Sequence, residues 1–284
     1  MQNISKDIER LHEVIKGETI DRWSSIYSRS NEDLNIILKY IDVKDKDVYS
    51  VLSSSDMLFY LYLNGAKTVD TFDINQLTYR YYFFRKWLME KGLIDASKLK
   101  FEEIKRIINE QFDFNCIDEE ESKLFWNYYL DLQYKSKWYE EMLYNFYHQD
   151  ALFETSDIEF IFPYAIDDIK KLLTKLNSRI LKFNHTDILS EKAIIPEKQY
   201  DVVYLSNILD LADIKGVENA FNNIYKLLKP NGVIICVNIR NHPYFDLFSM
   251  QKEYFKSSFE FEEFYTELRG IAKAPIKYYK YIKK

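Results

Sequence analysis

The residues best placed to do chemistry are Ser53, Ser54, Ser55 and Asp56, followed about 20 positions later by Asp73. The four-residue stretch follows a short apolar run, 48–52, and precedes a second one, 57–63. Asn64-Gly65 then supplies a helix stop and turn, and 68–72 is a third apolar run that ends on Asp73. Strand, turn, helix, turn and strand in that order predict a βαβ unit in a parallel sheet. A carboxylate at the tip of the second strand of such a unit is placed to accept from the hydroxyls of a ribose. Between Val48 and Gly65 there is no glycine. A bound pyrophosphate needs the close backbone approach that glycine permits, so a dinucleotide fits poorly. Hydroxyls and a carboxylate instead suit a ligand with a ribose, no phosphate and a cationic amine. S-adenosylmethionine has that chemistry. The competing reading is that the serines only cap the next helix, a role for which Ser and Asp are favoured.

The elements that must hold these residues can be read along the chain. Apolar positions at helical spacing (Ile4, Ile8, Leu11, Ile15) predict an N-terminal helix, and 33–41 predicts another. Together, residues 1–44 are expected to form a helical lid over a pocket in the remainder, 45–284. Tyr27, Ser28 and Arg29 are then lid contacts or a solvated capping loop. Residues 76–91 predict a helix apolar on most of its surface, hence packed by two partners. Residues 97–150 carry helical periods and no strand-like alternation, which makes a helical insertion too long for a simple connection. Its aromatic residues read as core or as the wall of an acceptor pocket.

The sheet is expected to resume with a helix at 164–176 and a strand at 179–183. His185-Thr186-Asp187 then falls at a carboxyl edge suited to adenine. Residues 200–205 predict a buried strand ending in Ser206-Asn207-Ile208-Leu209-Asp210. A helix at 216–228, a tight turn at 229–232 and a strand at 233–237 follow. Past that strand, Arg240 could grip a carboxylate or phosphate, or form a surface ion pair. Runs at 259–268 and 276–282 predict a closing antiparallel pair. The fold class is therefore α/β: a Rossmann-like, mostly parallel sheet with helices on both faces, an antiparallel last strand and a helical insertion.

Composition bounds the function. The 284 residues are 47% hydrophobic, enough for a large core, and carry a formal charge of −6. That acidity disfavours a non-specific nucleic-acid partner, which needs a basic face. Cys116 and Cys236 lie far apart, without metal-ligand spacing, and read as small core residues of a reducing compartment. No apolar signal core or membrane span is evident in the sequence. A cytoplasmic protein without bound metal is expected, its oligomeric state unread.

The segments DVYSVL through FDIN, HTDIL, YDVVYLSNILDL and LLKPNGVIICVNI resemble the class I S-adenosylmethionine-dependent methyltransferase superfamily over roughly 45–91 and 163–284. Within it, SSSD followed by LYLNGAKTVDTFDIN, together with IYSRSNEDL, is similar to the betaine-lipid 3-amino-3-carboxypropyl transferases. Ser55 stands where that family has Gly, and Met57 where it has Asn. The resemblance implies S-adenosylmethionine as cofactor, with Ser53, Ser54, Ser55 and Asp56 lining its methionine end. It implies Asp73 and Asn75 at the ribose, Thr186 and Asp187 at the adenine, and Ser206 and Asn207 bordering the reaction centre. A general base, where the acceptor needs one, is sought among Asp210, His242 and Tyr27; His148 and His185 read as surface or packing residues. The expected activity is transfer of a 3-amino-3-carboxypropyl or methyl group to a small-molecule or lipid-like acceptor. A methyltransferase with an unrelated acceptor and a non-catalytic binding protein that kept the fold are the alternatives.

Overall fold

The computed structural model describes residues 32, 34–90, 166–238, 256–269 and 275–284. In chain order these form α1 (Leu34–Tyr40), β1 (Asp47–Val51), α2 (Asp56–Leu63), β2 (Thr68–Asp73) and α3 (Leu77–Glu90). Then come α4 (Ile166–Asn177), β3 (Lys182–His185), β4 (Tyr200–Tyr204), a single 3-10 turn (Ile208–Leu211) and α5 (Ile214–Leu227). β5 (Leu228–Asn238), β6 (Phe259–Arg269) and β7 (Pro275–Lys283) complete the set. The expected insertion at 97–150 and most of the expected lid, including Tyr27 and Arg29, lie outside the described residues, as do Arg240 and His242.

The strands form one seven-stranded sheet in the order β3-β2-β1-β4-β5-β7-β6. β3, β2, β1, β4 and β5 pair in parallel, and β7 inserts antiparallel between β5 and β6. Parallel crossovers are right-handed. The chain steps outward one way from β1 to β2 and the other way from β4 to β5. α2 and α5 therefore lie on opposite faces of the sheet, α2 packed with α4. This is the Rossmann-like α/β class expected above.

Local chemistry accounts for the elements. β1 and β2 bury all but their first residue, as strands covered on both faces must. Tyr49 stacks on Phe72 and Tyr200 at ring separations of 4.8 and 5.0 Å, tying β1 to its neighbours on each side. Gly65 ends α2 in the left-handed region, φ 89°. Asp213 caps α5, its carboxylate accepting from the Gly216 N–H at 2.7 Å. Cys236 is fully buried in the core, which pushes its thiol pKa up.

Three boundaries differ from the sequence reading. β3 spans 182–185 and not 179–183. Ile180 is 91% exposed, and Arg179 stays with the end of α4, its N–H bonded to Leu176 O and its guanidinium 4.7 Å from the Tyr62 ring. Here the apolar residue marks a turn, not a strand. Residues 229–232 make their turn inside β5 as an irregularity. Tyr200 pairs with Leu228, whereas Val202 pairs with Val233, and Asn231 sits at φ 61°. A Cβ at Gly232 would lie 2.8 Å from Lys229 O, which leaves no room for a larger residue. α5 begins at Ile214, two residues before the expected start, because Asp213 supplies the cap.

Candidate active site

In a parallel sheet of this order the chain winds away from β1 on one side and from β4 on the other. The carboxyl ends of β1 and β4 thus flank the crevice where open α/β sheets bind ligands. Asp47, Asp201, Lys198 and Lys229 form an ion-pair cluster at the amino ends, with Lys229 Nζ 2.9 Å from Asp201 and 3.1 Å from Asp47. Against desolvation, the Thr68 hydroxyl donating to Asp47 at 2.7 Å and the lysines of that cluster hold Asp47 down to about pKa 2, at the opposite end of the sheet from the crevice.

The structure brings the two sequence-predicted halves of the site together. The Ser53 N–H donates to Asp73 Oδ2 at 2.9 Å, and the Asn75 N–H donates to Asp73 Oδ1 at 2.9 Å. The bend after β1 and the tip of β2 are thus one hydrogen-bonded unit. Asp73 is buried, and desolvation pushes its pKa up to about 6 against the lowering pull of its backbone donors. Asn75 is buried beside it, its carbonyl accepting from Thr78 Oγ1 at 2.8 Å at the start of α3. Thr186 follows β3, and its N–H donates to Asp73 O at 3.0 Å. The expected adenine flank therefore adjoins the expected ribose contact. Thr186 Oγ1 accepts from Ile194 N and Asp187 Oδ1 from Leu189 N, so both side chains shape the loop after β3.

Within the bend, the residues divide. Ser53 and Ser55 have left-handed backbones, φ 45° and 72°. Ser55 occupies the N-cap of α2 yet makes no side-chain capping bond, so simple capping does not explain it. Its buried Oγ makes no hydrogen bond among the described residues. Left-handed backbone costs a non-glycine residue roughly 1–2 kcal/mol, and strain of that kind gathers at functional sites. Replacing Ser55 with Gly is expected to raise stability by about 1 kcal/mol while weakening the ligand contact its hydroxyl supplies. Thermal melts with and without S-adenosylmethionine read both effects.

Asp56 is committed inward. Its carboxylate pairs with Arg85 of α3 at 2.6 Å and accepts from Ser54 Oγ at 2.8 Å, while Arg85 also donates to Ser54 O at 2.5 Å. All three residues are buried. The Ser54–Asp56–Arg85 set ties the bend to α3.

At the β4 tip, Ser206 takes φ 55° and is fixed by a 2.8 Å bond from Val237 N–H to its carbonyl. Its hydroxyl lies 3.3 Å from Asn207 Oδ1 and also bonds Glu32 Oε1. Asp210 follows in the 3-10 turn and acts electrostatically on Glu32. Glu32 is the residue that sequence reasoning missed. It is buried, lies 174 positions from Ser206, and has its pKa pushed up to about 8, chiefly by desolvation. The only available signal was an acidic pair, Glu32-Asp33, at the start of a helix, which reads as ordinary first-turn charge.

No family model matches this chain, and no curated protein matches it in sequence. Among solved structures it is similar to the N-methyltransferase NodS from Bradyrhizobium japonicum in complex with S-adenosyl-L-homocysteine. The TM-score is 0.43 at 8% identity, over 88% of this chain and 83% of that one. It is similar to a TehB-like SAM-dependent methyltransferase from Corynebacterium glutamicum, with TM-score 0.44, 10% identity and coverage of 99% and 98%. It is also similar to an rRNA methylase from Streptococcus thermophilus, with TM-score 0.40, 7% identity and coverage of 88% and 93%. Likeness at this level speaks to no residue of the site; the strand order carries the fold assignment by itself. Among the described residues no helix is long and apolar enough to cross a membrane.

Proposed function

We propose that this chain is an S-adenosylmethionine-dependent transferase of the class I methyltransferase type. The observation that carries the reading is the buried Asp73 carboxylate, bonded to the Ser53 N–H of the glycine-free bend beside the β1/β4 crevice. A carboxylate at a second strand's tip suits a ribose diol, and a bend without glycine suits a ligand without phosphate. The residues present fit that ligand in a second respect: the buried Ser55 hydroxyl has no hydrogen-bond partner among the described residues, and a polar ligand atom would satisfy it.

In this reading Asp73 and Asn75 orient the ribose, and Thr186 and Asp187 border the adenine. Ser53 and Ser55 contact the methionine end, on a bend that Ser54 and Asp56 stiffen through Arg85. Ser206, Asn207 and Asp210 border the reaction centre at the β4 tip. Tyr27 and Arg29 of a lid formed by residues 1–44, and Arg240 two residues beyond β5, contact the acceptor. When bound, the cofactor supplies an already activated electrophile, so the chain's task is to orient a nucleophile and exclude water. The group transferred is 3-amino-3-carboxypropyl or methyl, and the acceptor is a small or lipid-like molecule in the cytoplasm.

Calorimetry with S-adenosylmethionine tests the reading. Saturable binding is expected, and its absence from the full-length folded chain would leave the non-catalytic alternative. The transferred group is read from the spent cofactor after incubation with a cell-extract metabolite fraction. Methylthioadenosine reports aminocarboxypropyl transfer and S-adenosylhomocysteine reports methylation.

A further inference from the structure

The sheet ends in two edge strands, and among the described residues β3 and β6 each pair on one side only. An unpaired edge offers its N–H and C=O groups to another chain, and folds commonly defend such edges with charge. β6 follows that rule. Phe259, Phe261 and Phe264 pack on the core, while Glu260 and Glu262 stand exposed, the second ion-paired with Lys280 of β7. β3 is built differently. It is bounded by the two most exposed large apolar side chains among the described residues, Ile180 at 91% and Ile194 at 73%. Ile180 lies two residues ahead of β3, at its amino end. Ile194 lies by the carboxyl end, where its N–H donates to Thr186 Oγ1 at 2.9 Å. The two ends also differ in charge. Arg179 and Lys182 are exposed at the amino end, whereas Asp187 and Glu191 lie in the loop after the carboxyl end, with Lys192 offsetting part of their charge. One edge strand thus carries an isoleucine with cations at one end and an isoleucine with anions at the other. Such an edge is complementary to its own reverse. A two-fold axis through the middle of β3 sets the amino end of one copy beside the carboxyl end of another, so apolar meets apolar and each basic end meets an acidic one.

We propose that this chain associates with a second copy of itself through β3, the two strands pairing antiparallel so that the sheets join edge to edge and Ile180 of each copy covers Ile194 of the other. β3 spans four residues, so the paired ladder is about 13 Å long. The isoleucines and the opposite charges extend the contact to the turn before the strand and the loop after it. A contact of this size belongs with small, reversible interfaces, not with obligate ones. β3 stands two strands from β1 and three from β4. The β1/β4 crevice therefore stays open in the dimer, and the association does not depend on which ligand the crevice takes.

Sedimentation velocity on the full chain, over a series of micromolar concentrations, is the test. A reversible monomer–dimer equilibrium is expected. Ile180→Lys and Ile194→Lys should each weaken the dimer by about tenfold or more, because each change strikes both halves of a symmetric contact. Lys182→Glu should weaken it by about threefold or more. Adding Glu191→Lys to that variant should restore it, since the two ends then attract again with signs exchanged. All four positions are exposed, so the variants are expected to melt as wild type does. A chain that stays monomeric throughout, or a dimer whose constant neither isoleucine variant moves, overturns the proposal. A double variant that dimerises no more tightly than Lys182→Glu overturns the antiparallel placement. Wild type alone supplies a second reading through hydrogen exchange. The outward-facing amides of β3 must exchange more slowly as concentration rises, and those of β6 must not. A dimer that forms without slowing exchange in β3 refutes the proposal.

Discussion

Asp73→Ala abolishes detectable binding of S-adenosylhomocysteine, lowering affinity by about 100-fold or more. A carboxylate accepting from two ribose hydroxyls makes two charge-assisted hydrogen bonds, each worth about 1.5–3 kcal/mol. Loss of both spans about two to four orders of magnitude in dissociation constant. The substitution also orphans the N–H groups of Ser53 and Asn75, which now donate to this carboxylate, so the bend itself loosens. Asp73→Asn separates the two effects. It keeps an acceptor oxygen for one backbone donor and loses the charge, so it retains more stability than Ala but recovers little affinity. The pH dependence has a definite sign. Burial raises the Asp73 pKa to about 6, above that of an unfolded aspartate. The folded state therefore favours its protonated form, a contribution present at low pH and lost as pH rises through about 6. The ribose requires the ionised form. Affinity for S-adenosylhomocysteine should thus fall by about tenfold per unit below pH 6 and be flat above it. The neutral thioether is the right probe, because it carries no sulfonium charge of its own. A titration with no break near pH 6, or Asp73→Ala binding as wild type does, removes Asp73 from the ribose.

Much of this arrangement was legible in the sequence, for identifiable reasons. The apolar runs 48–52, 68–72 and 200–205 reported their strands because both faces of a parallel strand are covered, which leaves continuous hydrophobic stretches. Asp73 was legible because its position at a strand end and its spacing from the bend are local properties. The Asn64-Gly65 stop was legible because a left-handed residue was needed there. What failed to show was long-range or depended on geometry. Ile180 carries an apolar side chain into solvent, so composition alone extended β3 in the wrong direction. Asp56 read as a ligand contact because its partner, Arg85, lies a helix and a strand further along the chain, and nothing at position 56 announces it. Glu32 was invisible for the same reason more strongly, since its meaning resides in a contact with Ser206. Its burial cannot be inferred from a polar neighbourhood such as Ser28-Arg29-Ser30-Asn31. The three left-handed serines, Ser53, Ser55 and Ser206, were likewise hidden. Serine does not advertise positive φ as glycine does.

The Asp56–Arg85 pair is where a single change should do the greatest damage to the fold. Both side chains are buried, at 5% and 3% exposure, and meet at 2.6 Å. Arg85→Ala removes the guanidinium that meets the buried Asp56 carboxylate at 2.6 Å and the donor to Ser54 O. The expected loss is about 3–5 kcal/mol, a large fraction of the 5–15 kcal/mol or so that holds a typical domain together. Urea unfolding at constant slope measures it as a lowered midpoint. Asp56→Asn is milder, because it keeps an acceptor for Ser54 Oγ and removes only the charge. The double variant Asp56→Asn/Arg85→Met is expected to be more stable than Arg85→Ala, since it no longer leaves an anion buried, and the non-additivity identifies the pair as a unit. Cofactor affinity should follow a different order. Ser54 and Asp56 support the bend whose Ser53 N–H reaches Asp73, so any variant that frees the bend from α3 weakens binding even where stability is restored. The double variant therefore separates the two roles. Recovered stability with recovered affinity makes the pair packing alone, whereas recovered stability with affinity still reduced makes Arg85 a positioning residue that holds the bend in its binding shape.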